Sequence, residues 1–286
     1  MGNKPTINQS WDTILVSKTP LLNFPVREVW RYRDLLMMFV KRDVVTLYKQ
    51  TILGPVWFFI QPILTTIVYI VIFGGIAGIS TDGVPRVLFY SAGIVLWNYF
   101  SEVFSTTSRT FKESAGLFGK VYFPRIIVPV SKVLSGLLKF FVQMLFFLCV
   151  FFFFSFKDST ITPNSYIWLV PLLVLLMAGL SLALGIIFTS LTSKYRDLTF
   201  LIQFGVQLLM YATPVIYPMS AIPEKYRIYI ELNPITPIVE AFRHAFLGTG
   251  EWSWIGLGYS LIVSLVLGFI GVVLFNRVER TFMDTV

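Results

Sequence analysis

The chain has 286 residues, 56% of them hydrophobic and 17% aromatic, with 13% charged and a formal net charge of +8. Soluble domains carry about a quarter charged residues, so this composition excludes an ordinary soluble domain. The basic residues are spread over several loops, which argues against nucleic acid as a partner.

Residues 1–25 are polar with scattered prolines and read as a peripheral tail; nothing near the start has the layout of a cleaved secretory signal. Residues 26–50 alternate charged and apolar positions. Val29, Leu36, Val40, Val44 and Leu47 fall on one helical face, with Arg27, Arg31, Asp34, Lys41 and Arg42 opposite. Arg33 and Asp43 intrude on the apolar side, so the segment is either two short helices or one helix with a charge facing a partner. A basic amphipathic helix before a first span reads as lying on the inner membrane surface.

Residues 51–286 form one membrane domain. A helical span needs roughly 20 mostly apolar residues, and six stretches qualify: 52–76, 87–107, 126–154, 165–192, 198–217 and 254–276. A β-barrel reading fails, because runs such as Leu145 to Phe154 are continuously apolar and do not alternate. Pro62 bends the first span. The second span tapers into Ser101-Glu102 and Ser105-Thr106-Thr107-Ser108, polar enough for an aqueous vestibule. Glu102 reads as lying near the inner interface with a polar partner, the alternative being a functional intramembrane acid. Residues 109–125 mix apolar and basic side chains as a docking helix would. Phe151 to Phe154 face lipid or pack between helices. Gly179, Ser181, Ala183 and Gly185 let the fourth span approach its neighbours closely. The short turn 193–197 makes spans four and five antiparallel neighbours.

Between the last two spans the chain is too apolar for a loose loop and too rich in proline to cross a bilayer. It carries Pro218, Pro223, Pro234 and Pro237 before an amphipathic run to Leu247. Broken backbone is tolerated at membrane depth only where protein or a watery cavity covers it. The segment therefore reads as short re-entrant helices forming an external gate on a pathway. The complete expectation is an all-α integral membrane protein: six transmembrane helices, an N-terminal interfacial helix and re-entrant external helices.

Orientation follows from Lys and Arg. With the N-terminus inside, inner segments hold 16 of the 23 and outer segments five, while Lys132 and Lys139 lie inside the third span. Both termini are expected in the cytoplasm. Cys149 is the only cysteine and His244 the only histidine, so neither an internal disulfide nor a Cys/His zinc site exists; His244 reads as structural. No P-loop is present: Gly116-Leu-Phe-Gly-Lys120 has the wrong spacing and continues into Val121. Glu102 is the only carboxylate in the spans, too few for ion coupling or acid–base catalysis. The chain is not read as an enzyme, and energy for transport would come from another chain. There is no convincing internal repeat, which weakens an inverted-repeat secondary transporter.

Several segments together carry a resemblance. Tyr48-Lys49-Gln50-Thr51-Ile52-Leu53-Gly54-Pro55-Val56-Trp57, then Gln61-Pro62, resembles the start of the first span in type-2 ABC-transporter permeases of the polysaccharide-export subgroup (O-antigen, capsule, teichoic acid). Phe123-Pro124-Arg125, Tyr195-Arg196-Asp197, Thr213 to Pro218, Asn233-Pro234, Glu240-Ala241-Phe242-Arg243 and the tail Phe282-Met283-Asp284 are similar to later parts of that subgroup. The resemblance covers about residues 25–286. It implies a homodimer paired with two copies of a separate ATPase, which binds ATP and magnesium; no cofactor is expected on this chain. It implies export of a lipid-linked polysaccharide across the inner membrane. Leu117, Phe118, Lys120, Tyr122 and Arg125 would dock the ATPase, and spans one and five would line the path. Sugars present C–H faces and hydroxyls, which suit aromatic rings with polar tips. Tyr48, Trp57, Tyr69, Trp97, Tyr99, Tyr211 and Tyr217 are the candidate pore-lining aromatics, although Tyr and Trp also form interfacial belts. The alternatives are export of a drug or small lipid, and a non-transport scaffold or glycan-handling enzyme.

Overall fold

The computed structural model describes residues 26–49, 54–121, 123–157, 163–195 and 197–282, and these contain helices and no strands. The tail 1–25, Tyr122, Arg196, Met283 and Asp284 lie outside the described residues, as does the side chain of Tyr48.

The N-terminal segment forms two helices, α1 (Val26–Arg31) and α2 (Arg33–Tyr48), separated at Tyr32. Helix α3 (Trp57–Tyr69) continues as a π-helical stretch, Ile70–Ile76. Then come α4 (Arg86–Thr107), α5 (Thr110–Phe118), α6 (Ile127–Lys157), α7 (Val170–Thr192) and α8 (Leu198–Tyr211). Two short helices follow, α9 (Glu224–Glu231) and α10 (Thr236–Leu247), before the long α11 (Trp254–Phe282).

Five helical segments are long and apolar enough to cross a membrane: Trp57–Ile76, Arg86–Thr107, Ile127–Lys157, Ser165–Thr192 and Trp254–Glu279. The stretch expected as the fifth span, 198–217, is shorter as a helix. It stops at Tyr211 after 14 residues, about 21 Å at about 1.5 Å per residue, against a hydrocarbon core of about 30 Å. Pro214 explains the stop: it has no N–H to continue the ladder, its ring clashes with the carbonyl four residues back, and it pushes Thr213 out of helical backbone.

Helix α4 is the hub. It packs on α3, α6, α7, α8 and α10, and its residues Leu88, Tyr90, Leu96, Phe100 and Val103 are fully buried. It is the least apolar of the five segments, which fits a helix surrounded by protein instead of lipid. Its polar end is buried too. Thr106 donates to the Glu102 carbonyl at 2.7 Å and Ser108 to the Ser105 carbonyl at 2.8 Å. Thr107 and Ser108 are sealed against α7 in a helix junction, whereas Ser101 and Glu102, a turn or more earlier, line a cavity between α3, α4 and α6.

Small residues set the closest approaches. A methyl group on Gly185 would lie 2.6 Å from Thr107 Cβ, so α7 and α4 meet there. Gly179 faces Ser264 of α11, and Gly271 of α11 faces the Ala183 carbonyl. A second cluster caps one end of the bundle: Leu36 and Phe39 of α2, Phe111 and Phe118 of α5, Phe123, and Phe275 of α11. Phe111 and Phe275 stack with centroids 4.7 Å apart. Asp43, the charge on the apolar side of α2, pairs with Lys132 of α6 at 2.8 Å. Phe151 packs against Phe246, while Phe152 and Phe153 point outward.

Candidate functional site

The proline-broken segment between α8 and α11 leaves carbonyl groups without helical partners. Side chains supply the missing donors one by one. Tyr217 donates its hydroxyl to the Tyr211 carbonyl at 2.8 Å. Asn233 donates to the Ala212 carbonyl at 3.1 Å and to the Thr213 hydroxyl at 2.8 Å. Thr236 serves the Ile230 carbonyl, Tyr259 the Leu232 carbonyl and Ser260 the Pro234 carbonyl, at 2.7, 2.8 and 2.7 Å. The bonds from Thr236 and Ser260 and the Asn233–Thr213 bond are part-buried and the other three exposed; together they tie the irregular backbone to its neighbours.

Arg243 is the anchor. Its side chain is 1% exposed. It donates to the Pro214 carbonyl, to the Val215 carbonyl at 2.6 Å and to Glu240 at 3.1 Å, and its guanidinium lies 3.9 Å from the Phe89 ring centroid. The planar fork of arginine can reach two carbonyls and a carboxylate at once, which a lysine cannot. Gly93 of α4 makes room for this, since a Cβ there would lie 2.7 Å from the Val215 carbonyl oxygen. Burial pushes the Glu240 carboxyl above its usual range, with the attraction of Arg243 opposing. His244 is structural: its ring nitrogens meet Asn164 at 3.0 Å and the Gly250 carbonyl at 3.1 Å.

Of the four prolines expected at an external gate, Pro218 is buried, Pro234 and Pro237 are half-buried, and Pro223 is exposed as the lead-in to α9. Tyr69, Tyr211 and Tyr217 converge at this end: the Tyr69 hydroxyl lies 3.3 Å from Met210 Sδ, and Tyr211 is exposed. Trp57, half-exposed on α3, and Tyr99 line a common cavity nearer the other end. Trp97 reaches no open face. It is buried and packs on Phe100 at 5.4 Å, because α4 is covered on all sides by other helices.

Residues 110–121 present Lys112, Glu113, Gly116, Gly119, Lys120 and Val121 outward. Leu117 is half-buried against the end cluster. Phe118 and Arg125 face inward: Phe118 is 2% exposed, and Arg125 lies 5.4 Å from its ring and donates to the Glu279 carbonyl at 2.7 Å. Their contacts lie inside the fold, so of the described residues expected to dock a partner only Lys120, with its exposed neighbour Val121, stands fully on the accessible surface.

Glu102 was expected to have a polar partner, and Asp43 to face one if the segment were a single helix; the structure identifies them as the lysines of the third span, Lys139 with Glu102 and Lys132 with Asp43. Sequence reasoning missed two things. Arg243 looked like part of an amphipathic surface and is buried instead. Finally, Gln203 and Gln207 stand exposed on α8, and Gln61 on α3.

Five helices long and apolar enough to cross a membrane define a multi-pass membrane protein. The chain belongs to the ABC-2 type transporter family, whose model matches residues 34–247. Among its relatives is an O-antigen export system permease protein, RfbA, of Klebsiella pneumoniae, 26% identical over 252 residues, covering 88% of this chain and 94% of the relative. The protein of the same name from Myxococcus xanthus is 27% identical over 223 residues, covering 77% and 83%. The polysialic acid transport protein KpsM of Escherichia coli is 21% identical over 248 residues, covering 85% and 93%.

Proposed function

We propose that this chain is the channel-forming subunit of an ATP-driven exporter of a lipid-linked polysaccharide across the inner membrane. The observation that carries this reading is the outward face of α3 and α8. Gln61, Gln203 and Gln207 are exposed there among Trp57, Phe204 and Tyr211. An amide facing hydrocarbon leaves its polar groups without partners, at a cost of a few kcal/mol, on the order of 1–3 by mutational data. A second copy of the chain and a polar path between the two copies would cover this face. The names of the relatives support a glycan as the cargo.

In this reading α8 is the fifth of six spans, and the broken segment with α9 and α10 is re-entrant and closes the outer exit. Both termini are cytoplasmic. The layout is a tail (1–25), an interfacial helix (26–50) and a transmembrane domain (51–286). Two copies of an ATPase chain bind ATP and magnesium and dock on Lys120, Val121 and the exposed edge of Leu117. Phe118 and Arg125 support that surface from behind, and Tyr122 belongs to the same loop. The test is complementation. Cells lacking this chain are supplied with it, together with the proposed partner ATPase or a hydrolysis-dead version of it, and surface glycan is measured. Display that needs both chains and ATP hydrolysis supports the reading; display without the ATPase refutes it.

A further inference from the structure

We infer that a cavity between α3, α4 and α6 is a binding subsite for one neutral sugar ring of the transported glycan. The inference rests on the export reading above. The cavity has a volume of about 240 Å³ and opens beside Trp57 and Gln61 on the exposed face of α3. It lies in the half of the bundle nearer α2 and α5: Glu102 is within two turns of the end of α4 that leads into α5.

Its lining alternates hydrogen-bonding groups with aromatic surface. Asn98 donates to Gln143 at 3.2 Å. That bond uses one of the four hydrogen-bonding positions on each amide, so the Asn98 carbonyl and the Gln143 amide N–H groups keep capacity for a ligand in the cavity both residues line. Tyr99 lines the cavity with its ring side, while its hydroxyl is enclosed and has no partner among the described residues. Phe58 and Phe140 supply apolar wall, with the Lys139 ammonium 6.0 Å from the Phe58 ring. Gly136 leaves the wall open where a side chain would meet Val103 and Tyr99.

Charge selects the ligand. Lys139 and Glu102 form an ion pair at the wall and cancel. An anion would have to pull Lys139 from Glu102 and then sit against an unpaired carboxylate; a cation meets the converse obstacle. An apolar guest would leave the amides and the ion pair dehydrated without new partners. A neutral ring with hydroxyls at its edge and C–H groups on its faces satisfies both kinds of wall.

The test uses the full chain in lipid nanodiscs and saturation-transfer NMR. The probes are methyl glucoside, methyl galactoside, methyl mannoside and N-acetylglucosamine, with glycerol phosphate as the anionic comparison. The expected result is transfer to at least one sugar and none to glycerol phosphate. Binding should weaken about tenfold in Gln143→Leu and in Trp57→Ala, each checked for an unchanged melting profile. Trp57 lies at the exposed mouth and carries the test if Gln143→Leu fails to fold. No sugar signal in the wild type, equal signal in the variants, or preferential binding of glycerol phosphate would overturn the inference. Glycan display is measured on the same proteins. Normal display without sugar binding sinks this subsite and leaves the export reading standing. Sugar binding at this site by a chain that supports no ATPase-dependent display sinks the export reading, and with it the transport role of the subsite, while the cavity stands as a sugar-binding site.

Discussion

Replacing Arg243 by methionine removes the donor to the Pro214 and Val215 carbonyls and strands Glu240, whose side chain is 5% exposed. Breaking a buried pair from one side costs about 3–5 kcal/mol. The orphaned carbonyls and the lost contact with Phe89 are part of the same site and are not added separately. At about 2–4 °C per kcal/mol for a large domain, the melting midpoint should fall by roughly 6–20 °C, read by tryptophan fluorescence in detergent. Arg243→Lys keeps the charge but not the fork, so its loss should be intermediate. Adding Glu240→Gln to Arg243→Met removes the stranded carboxylate and should regain about 1–3 kcal/mol. The pH dependence has a definite sign. The folded-state value for Glu240 is raised, so the folded chain favours the neutral carboxyl. That contribution is fully present below the ordinary carboxylate range and is lost as pH rises through the raised value. Without Arg243 the carboxyl rises further, so the deficit of Arg243→Met should shrink as pH is lowered. A single variant that melts within about 3 °C of the wild type, about 1 kcal/mol on that scale, would refute the anchor argument. So would a double variant that is worse than the single one.

Gly185→Ala forces a methyl group onto Thr107 and should cost about 1–3 kcal/mol, whereas Gly258→Ala, with open space around it, should be neutral or stabilising by up to about 1 kcal/mol; paired melts compare them. Lys120→Glu and Val121→Asp lie on the exposed side of the loop, so they should leave the melting midpoint unchanged and abolish coupling of ATP hydrolysis to glycan display. Intact coupling in both would remove this loop as the docking surface. Gln207→Cys in a Cys149→Ser background should form an oxidant-induced dimer in membranes, and a chain that stays monomeric on gels would move the dimer contact away from α8.

Much of the helical order was legible in the chain, because a long apolar run has few alternatives in a membrane. The second, third, fourth and last spans lie close to where hydropathy puts them, and the small residues of α7 sit at its close approaches as their size requires. The shortened α8 was legible only in part: Pro214 was visible, but an apolar count runs through it to Tyr217. Among the candidate site residues, exposure divided what residue type had grouped together. Phe118 and Lys120 are two residues apart in one amphipathic loop, yet one is core and the other surface. Trp97 and Trp57 are both aromatic, yet only Trp57 stands at an open face.

Hydropathy and proline positions are properties of single residues and near neighbours, so they establish membrane class, helix order and the proline-broken segment before the last span without any knowledge of the tertiary fold. Partnerships are different in kind. Arg243 meets the Pro214 and Val215 carbonyls across more than 25 residues of chain, Lys139 meets Glu102 across 37, and Lys132 meets Asp43 across 89. A charge in an apolar sequence announces that it needs a partner, but only the packing of the helices against one another decides which one arrives within hydrogen-bonding distance.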